Sequence, residues 1–147
     1  MPAIALVLRA VLGTLYLVSG WTKLLSAPGK FASTIAQYDV VSGPLASLAA
    51  YAVPWAEYLC GICLILGLRT AGALRILWAL NTAFIVLLSQ ALLRNLAIRD
   101  CGCFGERVLL SPEQTLVLDL VTWIVFLFLH LKLPSTRRYT LDTYLDR

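Results

Sequence analysis

The residues in this chain best suited to chemistry are its four cysteines, and they fall in two close pairs. Cys60 and Cys63 form a C-x-x-C within Glu57-Tyr58-Leu59-Cys60-Gly61-Ile62-Cys63. Cys101 and Cys103 form a C-x-C within Asp100-Cys101-Gly102-Cys103-Phe104-Gly105. Four cysteines scattered at random would rarely pair in this way. One cysteine in an apolar helix is ordinarily a small hydrophobe, and for the C-x-x-C alone that reading and a redox reading are evenly matched. A pair in a polar loop has no such explanation, which favours redox use. On a helix, residues three apart have Cα atoms roughly 5 Å apart, inside the window a disulfide requires. A C-x-C bridge closes a very small ring, which Gly102 makes accessible to the backbone. Strained, exposed bridges of this kind are the labile, catalytic ones. Arg99 and Arg107 favour a nearby thiolate and Asp100 and Glu106 oppose it, so local charge gives no net bias.

Two vicinal pairs suggest a relay, because thiol–disulfide exchange moves two electrons by thiolate attack on a neighbouring disulfide. The outer pair, Cys101 and Cys103, would exchange with a thioredoxin-like protein. The inner pair, Cys60 and Cys63, would pass electrons to a membrane-soluble acceptor such as a quinone, making the chain a thiol–disulfide oxidoreductase. Glu57 stands one turn before Cys60. An ionisable group within an apolar run is a functional candidate, and here it would shuttle the proton that accompanies thiol oxidation. The equally weighted structural alternative is a buried carboxylate paired with Arg75, Asn81 or Gln90 across a helix interface. Trp21, Trp55, Trp78 and Trp123 fit aromatic belts better than a quinone site. Trp55, Arg75 and Trp78 are nevertheless the residues to examine for quinone contact.

The elements that must hold these groups are membrane helices. Of the 147 residues, 60% are hydrophobic and only 14% charged, and the mean hydropathy is +0.83. A small soluble domain cannot hide so much apolar surface. A helix needs about 20 apolar residues to cross a bilayer, and four runs qualify: about Ile4–Leu25, Pro44–Leu68, Ala71–Leu93 and Glu113–Leu133. The expected fold is therefore an all-α polytopic bundle of four transmembrane helices over residues 1–133, followed by a polar tail over 134–147. The Leu- and Ala-rich runs are too long and unbroken for barrel strands. The first begins without a basic n-region or a small-residue cleavage site, so it reads as a retained helix. Arg9 and Lys23, near its ends, can snorkel.

A tight turn around Arg69–Gly72 makes the second and third runs antiparallel. Residues 26–43 leave room for a short interfacial helix around Phe31–Tyr38. Ser111-Pro112 is a strong helix start, with Ser111 as N-cap and Pro112 in the first turn. Gly61 and Gly67 allow close helix approach. Four crossings place both termini and Arg69 on one side, with Lys132, Arg137, Arg138 and Arg147. The other side carries Lys23, Lys30, Arg94, Arg99 and Arg107, so the positive-inside tally is nearly a tie. Arg9 and Arg75 tip it toward cytoplasmic termini, with the 94–112 loop extracytoplasmic in a bacterial inner membrane. The net charge of +4 reflects anchoring at the bilayer and calls for no nucleic-acid partner.

Several of these residues resemble a known family. Cys101-Gly102-Cys103-Phe104-Gly105 after a third membrane helix resembles the MauE proteins of methylamine utilisation, within the broader DoxX-like membrane family. Arg9-x-x-x-Gly13 and Ser19-Gly20-x-x-Lys23 are similar to the opening of DoxX-like chains, and Pro54-x-x-Glu57 with Gly61 and Gly67 to their second helix. The likeness runs from about Leu8 to the fourth helix. It implies a four-helix, redox-associated membrane protein that works with a thioredoxin-like partner in disulfide handling or in maturation of secreted enzymes. By architecture alone the chain also resembles the quinone-coupled proteins of the DsbB and vitamin K epoxide reductase type. The inner pair rests on local chemistry.

One geometric tension follows. If the second helix spans 44–68, Cys60 and Cys63 lie roughly 6–10 Å past its midpoint, toward the face opposite the C-x-C loop. Direct exchange then needs the 94–112 loop to dip into the bundle, which is favoured here, or the helix to begin nearer Pro54. Otherwise the pairs work separately. Two further readings stay open. Cys60, Cys63, Cys101 and Cys103 suit a soft metal, as in small mercury transporters, although C-x-C is short for a structural zinc half-site and His130 is the sole histidine. In the other, the protein is a non-catalytic accessory subunit with a static C-x-C staple.

Overall fold

The computed structural model describes residues 2–26, 28–40, 43–96 and 111–136. Within them the chain forms α1 (Pro2–Leu25), α2 (Pro28–Gln37), α3 (Pro44–Leu66), α4 (Thr70–Leu93) and α5 (Pro112–Thr136), with no strand among the described residues. Four of the helices, α1, α3, α4 and α5, are long and apolar enough to span a membrane. Their outward surfaces are studded with Val7, Leu48, Val86, Ile124 and Leu131, all well exposed. In lipid such surface needs no protein cover.

α1 packs most extensively against α3, and the two run antiparallel. A Cβ on Gly20 would meet backbone atoms of Pro54 and Tyr58 at 2.6–2.7 Å, and one on Gly61 would meet Leu17 and Gly13 backbone at 2.7–2.8 Å. Only hydrogen fits at such an approach, and that lets dispersion hold two helices whose exteriors are indistinguishable from lipid. Gly67 has a different role from the close approach expected of it. It caps α3 in the left-handed conformation (φ 73°), with Leu68 N–H closing on the Cys63 carbonyl at 2.9 Å, a Schellman-type stop. The α3–α4 reversal therefore occupies Gly67–Arg69, and α4 already begins at Thr70.

Two further ends are set locally. Asn95, at φ 52°, lets Leu96 N–H reach the Ala91 carbonyl beyond α4. Ser111 and Gln114 form a reciprocal capping box, each backbone N–H meeting the other's side-chain oxygen at 3.3 Å. The short α2 folds over the end of the bundle where α1 stops and α3 starts. There Phe31 and Tyr38 are buried, and Tyr38 packs with Leu88 and Ala91. The Arg94–Asp39 ion pair at 2.7 Å closes this end on its exposed surface.

Pro44 opens α3 and Pro54 lies inside it, buried. The helix does not begin near Pro54, which removes one of the two adjustments that would bring the cysteine pairs together. Proline is tolerated inside membrane helices where neighbouring groups can re-satisfy the carbonyl it frees. Loop residues 97–110, with Cys101 and Cys103, and tail residues 137–147 lie outside the described residues.

Candidate functional site

Glu57 is 4% exposed and faces α1. Helical side chains lean toward their own N-terminus, so in an antiparallel pair the α3 carboxylate and the α1 ammonium lean toward each other. Lys23 Nζ donates to both Glu57 oxygens at 2.7 Å, and Ser19 Oγ donates to Oε2 at 3.1 Å. The Lys23 ammonium also lies over the Phe31 and Phe84 rings, 5.3 and 5.6 Å from their centroids. Lys23 therefore turns inward instead of snorkelling.

None of the three partners expected for Glu57 takes that role. Arg75 is exposed on α4. Gln90 donates to the Tyr38 carbonyl at 3.4 Å. Asn81 Nδ2 donates to Asp119 Oδ1 and Thr122 Oγ1, each at 3.2 Å. Lys23 and Asp119 were missed for different reasons. Lys23 sits within two residues of a helix end, where snorkelling is the default. Asp119 is a lone acid in an otherwise apolar run, the same signal that singled out Glu57.

These two polar groups share one cavity of about 30 Å³, lined by Tyr16, Ser19 and Lys23 of α1, Glu57 of α3, Asn81 of α4 and Asp119 of α5, among others. That is room for one or two waters. Phe84 and Thr115 also line it, which places it in the half of the bundle near α2 and the 97–110 connection.

The inner cysteines lie on the other side of Glu57. Cys60 is buried and Cys63 half-buried, and both are free thiols. Cys60 belongs to the core with Leu12, Tyr16, Leu64, Leu74, Leu77 and Phe126, and Cys63 packs against it. Tyr16 belongs to both the core and the cavity lining, and it packs on Phe126 at 5.6 Å. Counting α4 from Leu77, level with Cys60, to Leu96 gives an axial separation on the order of 25 Å between Cys60 and the start of the 97–110 loop.

The three residues singled out for quinone contact do not converge. Arg75 and Trp78 share an open groove along α4 with Ala79, Thr82, Ala83, Val86 and Leu87. Trp78 packs there on Trp123 and His130 at 5.6 and 5.5 Å, while Trp123 Nε1 donates to Thr82 Oγ1 at 3.1 Å. Trp55 stands apart beside Tyr58, which in turn meets Trp21. Among the described residues no group of three or more His, Cys, Asp or Glu side chains could hold a metal ion.

The family model described as methylamine utilisation protein MauE matches residues 1–132. No curated protein and no solved structure matches the chain.

Proposed function

The chain belongs to the MauE family, and on that premise we propose that it is a thiol–disulfide redox protein of the membrane, passing electron pairs between an extracytoplasmic thioredoxin-like partner and a membrane acceptor of the quinone class. The observation that carries this reading is the placement of all four cysteines in two vicinal pairs, the inner pair one helical turn from a buried ionisable residue. Cys101 and Cys103 exchange with the partner: a partner dithiol reduces the loop disulfide and becomes a disulfide, or the reverse. A dithiol and a quinone then yield a disulfide and a quinol, which balances two electrons and two protons. Cys60 and Cys63 form a second dithiol that would exchange with the membrane acceptor on its own account, because the axial separation from the loop disfavours direct exchange between the pairs. Glu57, with Lys23, accepts and returns the thiol proton.

Orientation follows from charge. With Lys23 engaged inside the bundle, the loop side keeps Lys30, Arg94, Arg99 and Arg107. The termini side keeps Arg69, Arg75, Lys132, Arg137, Arg138 and Arg147. The positive-inside rule then favours cytoplasmic termini and an extracytoplasmic 94–112 loop in a bacterial inner membrane.

Thiol trapping in membranes, with single and paired Cys→Ser variants, tests this. Cys101 and Cys103 should change redox state when a thioredoxin-like protein is added, and Cys60 or Cys63 when quinone supply changes. Four thiols that stay reduced and retain a stoichiometric metal would overturn the proposal in favour of soft-metal handling.

A further inference from the structure

The cavity between Lys23–Glu57 and Asn81–Asp119 holds an acceptor that the protein does not satisfy. Asn81 is 2% exposed, and its Oδ1 has no hydrogen-bond partner. With Asp119 ionised, Nδ2 faces Asp119 Oδ1, because a carboxylate accepts and an amide oxygen cannot donate to it. An orphaned buried acceptor is costly. The adjoining 30 Å³ is large enough for a water, with Ser19, Lys23, Glu57, Asp119 and Thr122 around it as further polar partners.

We propose that this cavity is an exchangeable water site that joins Glu57 and Asp119 into one proton-carrying centre, with Asp119 as its second carboxyl. The proposal rests on the redox reading for its purpose: the centre carries the protons that dithiol oxidation releases and that a quinone-class acceptor takes up with the electrons. A proton accepted on Glu57 passes through the water to Asp119, or returns by the same route, one at a time. The groups facing the centre are Tyr16 and Lys23 from α1, Glu57 from α3 and Asp119 from α5; α4 contributes the neutral Asn81 and Phe84, and α2 the Phe31 ring over Lys23. Asp119 touches no sulfur in this arrangement, so it acts through the water and Glu57.

The test uses the full chain in lipid nanodiscs. Infrared pH titration follows the protonated-carboxyl bands, assigned by their loss in Glu57→Gln and in Asp119→Asn. If the two form one centre, removing either carboxyl displaces the other's midpoint by about one pH unit or more. Asn81→Leu, which keeps both carboxyls but removes the bridging amide, should weaken that coupling and stands in wherever Asp119→Asn fails to fold. In parallel, Asp119→Asn should slow quinone-coupled oxidation of the cysteines by roughly tenfold to a hundredfold and move its pH profile. KM for the thiol partner should stay unchanged, and Asp119→Glu should restore part of the rate. Midpoints indifferent to each other's removal, or an unaltered rate and pH profile in Asp119→Asn, would overturn the proposal. Coupled carboxyls in a chain whose cysteines never cycle would instead overturn the redox reading and leave the centre standing.

Discussion

Replacing Lys23 with methionine should destabilise the chain more than replacing Lys23 and Glu57 together. Both side chains are nearly sealed, at 2% and 6% exposure, and Nζ is 2.7 Å from Oε2. Removing one partner of such a pair leaves a charge in low-dielectric surroundings and costs about 3–5 kcal/mol. The two single substitutions are not equivalent. In Glu57→Met the stranded ammonium keeps the faces of Phe31 and Phe84, each contributing about 0.5–2 kcal/mol. In Lys23→Met the carboxylate keeps the Ser19 hydroxyl at 3.1 Å, and the rings beside it offer it nothing. Lys23→Met should therefore sit near the upper end of the range and Glu57→Met near the lower. The double substitution strands no charge and should fall within about 1–2 kcal/mol of the parent, since apolar replacement of a buried pair is often neutral. The coupling energy is then about 6 kcal/mol, a factor of more than about ten thousand in the folding equilibrium. Equilibrium unfolding of the four proteins in mixed micelles measures each corner of the cycle. Additive single costs, or a Glu57→Met variant less stable than Lys23→Met, would refute the reasoning.

Two further predictions concern the scaffold. Gly20→Ala and Gly61→Ala should each cost about 1–3 kcal/mol by prying α1 from α3, because the added methyl meets backbone that cannot rotate away. Gly72→Ala, with nothing within 4 Å, should be neutral or stabilising by up to about 1 kcal/mol in the same unfolding assay. Ser111→Ala should cost about 1 kcal/mol by removing the acceptor for the Gln114 N–H. Hydrogen exchange should show that loss as faster exchange in the first turn of α5, with α1 and α3 unaffected.

The spans were legible because run length against bilayer thickness is a nearly sufficient test, and the Ser111–Pro112 start because capping is decided within four residues. Glu57 was legible as an anomaly, since an acid in an apolar run has few innocent explanations. Its partner was not. Which cation reaches Glu57 depends on how α1 registers against α3; the close approach at Gly61 was readable from its small side chain, but the α1 backbone it meets at Gly13 and Leu17 was not. Gly67 shows the reverse problem: a small residue near a helix end serves packing and capping equally well until its φ is known. The cavity was invisible for the same reason as the ion pair, being built from one or a few residues on each of four helices.

The axial placement of the cysteines constrains how electrons can pass between them. Direct exchange requires sulfur to touch sulfur, and Cys60 lies on the order of 25 Å along the bundle from Leu96. From Leu96 the chain reaches Cys101 in five residues, at most about 17 Å even fully extended, and Cys103 in seven, at most about 24 Å. A loop stretched that far would need every backbone group satisfied inside protein, and it would have to pass the packed layer of Tyr16, Leu77 and Phe126 that encloses Cys60. The favoured expectation of a dipping loop therefore asks for nearly all of the chain's covalent reach and disruption of the core as well. A carrier that diffuses in the bilayer asks for neither. The same argument gives the Lys23–Glu57 centre its place: it lies on the loop side of the inner thiols and about one helical turn from Cys60, within reach of a proton released there. Electrons and protons would then take separate routes, the electrons on a carrier in the lipid and the protons through the polar cavity that Glu57 and Asp119 share.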